Sequence, residues 1–125
     1  MKDLNSLALA YLGDSIYELY IRKYLLDNNI VKVKELQKES IKYVSAKKQA
    51  IFLKEMITNN FFSDEELDII YRARNHKSHK SKSTDIITYK YSTALEALIG
   101  HLYLQNDLER IKNIMEYIVN YKGVE

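Results

Sequence analysis

The sequence predicts an all-α fold, and three observations carry that prediction. Apolar residues recur with a helical period along nearly the whole chain. No stretch keeps the strict alternation of a half-buried strand. The 125 residues include only three glycines and no proline, where average usage would give about nine and six. Turn-rich β-sandwiches and barrels need that punctuation. The length allows one domain, residues 1–125, around one core. With no cysteine, a disulfide scaffold, thiol chemistry and sulfur-ligated zinc are excluded. No apolar run approaches the roughly 20 residues of a membrane span. Asp3 and Asp14 flank the N-terminal apolar stretch and argue against a secretory signal. A cytoplasmic protein with no membrane association is expected.

The elements follow in order. From Leu4 to Leu26 the chain is apolar around most of a helical circumference, which suits burial on several sides or packing against a second copy. Asp27-Asn28-Asn29 ends that helix. A second runs from about Val33 to Tyr43, with Leu36, Ser40 and Tyr43 along one face. Ser45 is placed to cap a third, Ala46 to about Thr58. Ser63 followed by Asp64, Glu65 and Glu66 reads as a capping box opening a fourth helix to about Asn75. The polar stretch NHKSHKSKSTD has no period and reads as a loop. A fifth helix covers about Ile87 to Leu104, Asn106-Asp107 resets the chain, and a sixth runs from about Leu108 to Tyr121.

Two acids stand out against this background. Asp14 and Glu96 each lie in an otherwise apolar helix, where an unpartnered carboxylate costs several kcal/mol on leaving water. Each also has a glycine at hand: Gly13 precedes Asp14, and Gly100 lies one turn after Glu96. A glycine within a helix costs about 1 kcal/mol relative to alanine. Close approach of two backbones, with the acids converging between the helices, accounts for both pairs. Facing carboxylates need something positive between them, and hard oxygen donors favour Mg²⁺ or Mn²⁺. Such an ion lowers the pKa of a water and stabilises charge on a phosphate, which is metal-assisted phosphodiester hydrolysis. The alternative is an ion pair with a lysine in the core.

Between Ile69 and Thr84 there is no acidic residue, while Arg72, Arg74, Lys77, Lys80 and Lys82 fall there with His76 and His79. A second acid-free stretch, Ser40 to Lys54, adds Lys42, Lys47, Lys48 and Lys54. Clusters of this kind hold phosphate backbones, and the first leads straight into the helix of Glu96. The alternative is a solvated lysine-rich surface. Tyr89 and Tyr91 serve equally well as core or base-stacking groups. His76 and His79, without a third ligand, make a poor metal site.

LALAYLGDSIYELYIR around Asp14 and YSTALEALIG around Glu96 resemble the catalytic domain of the ribonuclease III family. YVSAK (Tyr43 to Lys47), the segment RARNHKS from Arg72 and the segment from Thr84 to Gly100 extend the resemblance to its Mini-III branch, which consists of the catalytic domain alone. The resemblance implies the helical bundle of that catalytic domain and a homodimeric, Mg²⁺-dependent endoribonuclease that cuts double-stranded RNA to 5′-phosphate and 3′-hydroxyl ends. It implies Asp14 and Glu96 as the metal-binding catalytic acids. Arg72, Arg74, Lys77, Lys80 and Lys82 are the expected RNA contacts, since no separate RNA-binding domain is read in the chain. Tyr91, Thr93 and Lys90 are expected to support the acids. Maturation of a large-subunit ribosomal RNA precursor, with a ribosomal protein as a further partner, is the implied role. Two of the family's four metal-site acids are replaced, by Ala10 and Thr93. One metal is therefore expected, and a non-catalytic RNA-binding or ribosome-assembly protein on the same fold is the alternative.

Overall fold

The computed structural model describes residues 4–76 and 85–122. Among them are six α-helices, α1 (Ser6–Asp27), α2 (Val33–Val44), α3 (Ala46–Thr58), α4 (Asp64–Arg74), α5 (Ile86–Leu104) and α6 (Leu108–Val119), with no strand. The all-α expectation holds, and no described helix is long and apolar enough to cross a membrane.

Polar side chains set where the helices begin. Asn5 accepts the Ala8 amide at 2.8 Å, so α1 opens at Ser6 rather than Leu4. Ser45 caps α3 through the Lys48 amide at 3.2 Å. The Ser63–Glu66 capping box is formed in both directions, at 3.1 and 2.9 Å. Asp85 and Asp107 cap α5 and α6. The breaks after α1, α3 and α5 are made by Asn29, Asn60 and Asn106 at φ of 67°, 55° and 60°. Asparagine is the side-chain-bearing residue that tolerates this left-handed conformation best. That frees glycine for use inside helices. At the other end of the chain α6 stops at Val119, two residues short of the expected Tyr121, with Asn120 closing it.

α5 is the central helix. Ser92 to Leu95, Ala97 to Gly100 and Leu102 are all buried, surrounded by α1, α3, α4 and α6. α1 lies along α5 and buries Ala10, Gly13, Ile16, Tyr17, Ile21 and Leu25. Its opposite side leaves Tyr11 86% and Leu19 65% exposed, so the apolar circumference read in the sequence is only half used within one chain. α2 has no buried residue; Leu36, Ser40 and Tyr43 form its half-buried face as expected. The Tyr17 hydroxyl donates to the Tyr43 carbonyl at 2.6 Å, tying the end of α2 to the middle of α1.

Candidate active site

The α1–α5 contact is a meeting of main chains. A Cβ built on Gly13 would lie 1.7 Å from the Glu96 carbonyl oxygen, and one on Gly100 would lie 2.0 Å from the Leu9 carbonyl oxygen. No side chain fits at either position, so both must be glycine for the helices to approach this closely. The close approach expected from the two acid–glycine pairs is therefore present. It places the Asp14 and Glu96 carboxyl groups within hydrogen-bonding reach of each other across the seam.

The pair is less buried than expected. Asp14 is exposed and Glu96 half-buried. The buried stripe of α1 passes through Ala10, Gly13 and Tyr17, and Asp14 stands at its edge. The acids thus line the mouth of the seam, where solvent and a large substrate can reach them. No lysine takes up their charge: among the described residues neither acid has a salt bridge. Partial burial, the hydrogen bond to Asp14 and the Asp14 charge push the Glu96 pKa up to about 9, with Glu18 adding and Gln49 opposing. The proton Glu96 keeps removes a negative charge that would otherwise face Asp14.

An acid pair with hard oxygen donors and no cation paired to it among the described residues suits a divalent ion such as Mg²⁺ or Mn²⁺. Among the described residues no group of three or more ligating side chains forms, so such an ion would keep most of its ligands from water or substrate. Ala10 and Thr93 are each 6% exposed; they fill the core of the seam with small side chains.

The basic residues separate into kinds. Arg72 is exposed and paired with Asp68 one turn earlier on α4, a surface ion pair that leaves the guanidinium open to solvent. Arg74 lies against two aromatic rings, 4.8 Å from the Tyr71 centroid and 5.8 Å from that of Tyr91, and donates to the Tyr91 hydroxyl at 3.5 Å. Lys54 Nζ sits 4.7 Å from the Tyr91 centroid. Tyr91 is thus bracketed by two cations. Lys90 is half-buried and has no ion pair among the described residues. Lys77, Lys80, Lys82 and His79 lie outside the described residues.

The sequence reading does not single out Gln49 and Glu18, whose side chains act on Glu96. A signal for Gln49 exists: it falls in helical register with the core residues Phe52, Leu53 and Met56 of α3, a place for an apolar side chain. Glu18 follows Asp14 by one helical turn.

Comparison with known proteins agrees with this geometry. Residues 7–107 match the model of the ribonuclease III domain. Mini-ribonuclease 3 of Staphylococcus aureus is 45% identical over 120 residues, covering 95% of this chain and 90% of the relative. Mini-ribonuclease 3 of a Thermoanaerobacter species is 44% identical over 117 residues, covering 93% and 81%. A crystal structure of a Fusobacterium nucleatum protein superposes with a TM-score of 0.87 at 37% identity, covering 97% of this chain and 98% of that one. The chain belongs to the ribonuclease III family of endoribonucleases.

Proposed function

We propose that this double-stranded-RNA endoribonuclease acts through Asp14 and Glu96, which together hold Mg²⁺, with Mn²⁺ as a substitute, on a precursor of large-subunit ribosomal RNA. The observation that carries the site is the convergence of two carboxyl groups, without a counter-charge among the described residues, across a seam set by Gly13 and Gly100. When bound, the ion supplies activation of a water nucleophile and charge neutralisation at the scissile phosphate. The chain's own part is to hold the two carboxylates at a fixed separation and in reach of a duplex. Products are a 5′-phosphate and a 3′-hydroxyl.

Residues 1–125 act as one catalytic domain in the cytoplasm. The exposed Tyr11 and Leu19 on α1 support a homodimer, since an apolar helix face left open by one copy is the self-complementary patch a two-fold interface needs. Arg74 and Lys54, arranged around Tyr91, are the described cations best placed to hold phosphates; Lys77, Lys80 and Lys82 extend that stretch. A-form RNA is held by shape and backbone contacts, so loose sequence preference follows, and a ribosomal protein presenting the precursor would narrow it.

The test is cleavage of a long RNA duplex by the pure protein in Mg²⁺ or EDTA, beside Asp14→Asn and Glu96→Gln. Removing a group that merely supports a metal ligand costs about 10–100-fold, so removing a ligand itself should cost more, with duplex binding retained. Variants that cut like wild type would sink the assignment. Faster cleavage of ribosomal precursor than of a random duplex is expected; equal rates would remove the substrate proposal.

A further inference from the structure

Gln49 lies in the first turn of α3 and is 1% exposed. Its Oε1 accepts a hydrogen bond from the Ser92 hydroxyl on α5. Its Nε2 is buried and makes no well-formed hydrogen bond. The acceptor it faces is the Glu96 carboxyl, one helical turn beyond Ser92. Leaving a buried amide donor unmade costs about 1–3 kcal/mol, and a leucine or methionine in this core register would avoid that cost. The direction of the amide is also determined. With Ser92 donating to Oε1, the N–H side is turned to Glu96; the reverse would set a carbonyl oxygen against a carboxylate.

The seat of Gln49 is fixed from both neighbouring helices. Ser45 caps α3 one turn before it, and the Tyr17–Tyr43 hydrogen bond ties the chain just ahead of that cap to α1, three residues beyond Asp14. The helix of Asp14 is thereby linked through the end of α2 to α3, and α3 is linked to the helix of Glu96 by the Gln49–Ser92 hydrogen bond. We infer that Gln49 is a positioning residue: its side-chain N–H donates to the Glu96 carboxylate and aligns it with Asp14 for a divalent cation. This rests on the reading of Asp14 and Glu96 as the metal-holding acids. Groups that support metal ligands in this way fix orientation and strengthen binding.

The experiment is a Mn²⁺ titration of the RNA-free protein followed by electron paramagnetic resonance, with wild type, Glu96→Gln, Gln49→Met and Ser92→Ala. Methionine keeps the volume and removes the donor. Gln49→Met should weaken Mn²⁺ binding by about 10–100-fold, and Ser92→Ala by a smaller factor. The double variant should be no weaker than Gln49→Met, because Ser92 acts through Gln49. The Mg²⁺ concentration for half-maximal cleavage should move by the same factor, while cleavage at saturating Mg²⁺ stays near wild type. A residue that served packing alone would lower the melting temperature and leave Mn²⁺ affinity unchanged; that result in either folded variant overturns the inference. Should Gln49→Met fail to fold, Ser92→Ala decides. If wild type and Glu96→Gln bind Mn²⁺ alike, the metal reading itself falls and takes the Gln49 role with it.

Discussion

Glu66 and Glu96 are the same side chain in opposite surroundings. Glu66 is met by Arg110, with Nε to Oε2 at 2.7 Å and Nη2 to Oε1 at 2.9 Å, while the same guanidinium donates to the Phe61 carbonyl at 2.8 Å. Burial alone would raise the Glu66 pKa, but the Arg110 hydrogen bonds, the Ser63 amide and the guanidinium charge outweigh it and hold it below the ordinary value. Glu96 meets another acid, and its pKa rises to about 9. The first carboxylate is complete within the chain and joins α4 to α6. The second has no cation against it among the described residues, and strongly perturbed acids of that kind cluster at functional sites.

Gly100→Ala should break this contrast most severely. The added carbon would run into the main chain of Leu9 and crowd that of Gly13, so α1 must move off α5. A loss of about 3 kcal/mol in urea unfolding, together with lost cleavage, is expected; a variant that melts and cuts like wild type would contradict the backbone contact. Glu66→Gln attacks the other member. It keeps the capping hydrogen bonds and removes the charge facing Arg110, and should cost about 2 kcal/mol while leaving cleavage per folded molecule intact.

Acidity sharpens the contrast, because the two shifts have opposite signs. The Glu66 contribution is full above about 4.5 and is lost as pH falls through its lowered folded value. Glu96 keeps its proton in the metal-free folded chain at pH values where the unfolded chain has released it. Its contribution is therefore present below about 4.5 and lost as pH rises towards about 9. Urea midpoints in EDTA should decline from pH 5 to 9 in wild type and much less in Glu96→Gln; parallel slopes would refute the proton held on Glu96.

The smallest expected effect extends the comparison to cations. Arg72 is already matched by Asp68, whereas Arg74 and Lys54 rest on tyrosine rings. Lys54→Ala and Arg74→Ala should each lower the salt dependence of duplex binding by about 1 in log–log slope, and Arg72→Ala by less. Equal slopes for all three would remove the distinction.

Much of this was legible from spacing alone. Ser45, Ser63 and the asparagine breaks act through neighbours three or four residues away, so linear order suffices to read them. Gly13 beside Asp14 and Gly100 one turn from Glu96 implied a helix crossing because a glycine within a helix has few other uses. Three things were hidden. The exposure of Asp14 depends on which side of α1 faces α5, and a helix apolar nearly all round does not reveal that. The pairing of Arg72 with Asp68 depends on competition between a local acid and a distant ligand. The facing of Gln49 and Ser92 is a contact 43 residues apart in the chain, and no local pattern specifies such a contact.

The glycine seam has one more consequence. Because a main-chain carbonyl of Glu96 itself rests in the notch at Gly13, the spacing of the two acids is gauged by peptide groups, which every amino acid shares, rather than by side-chain shapes. Sequence drift elsewhere on α1 and α5 can then proceed without resetting that spacing. The tolerance of the seam is written at two positions, and those two have almost no freedom to change.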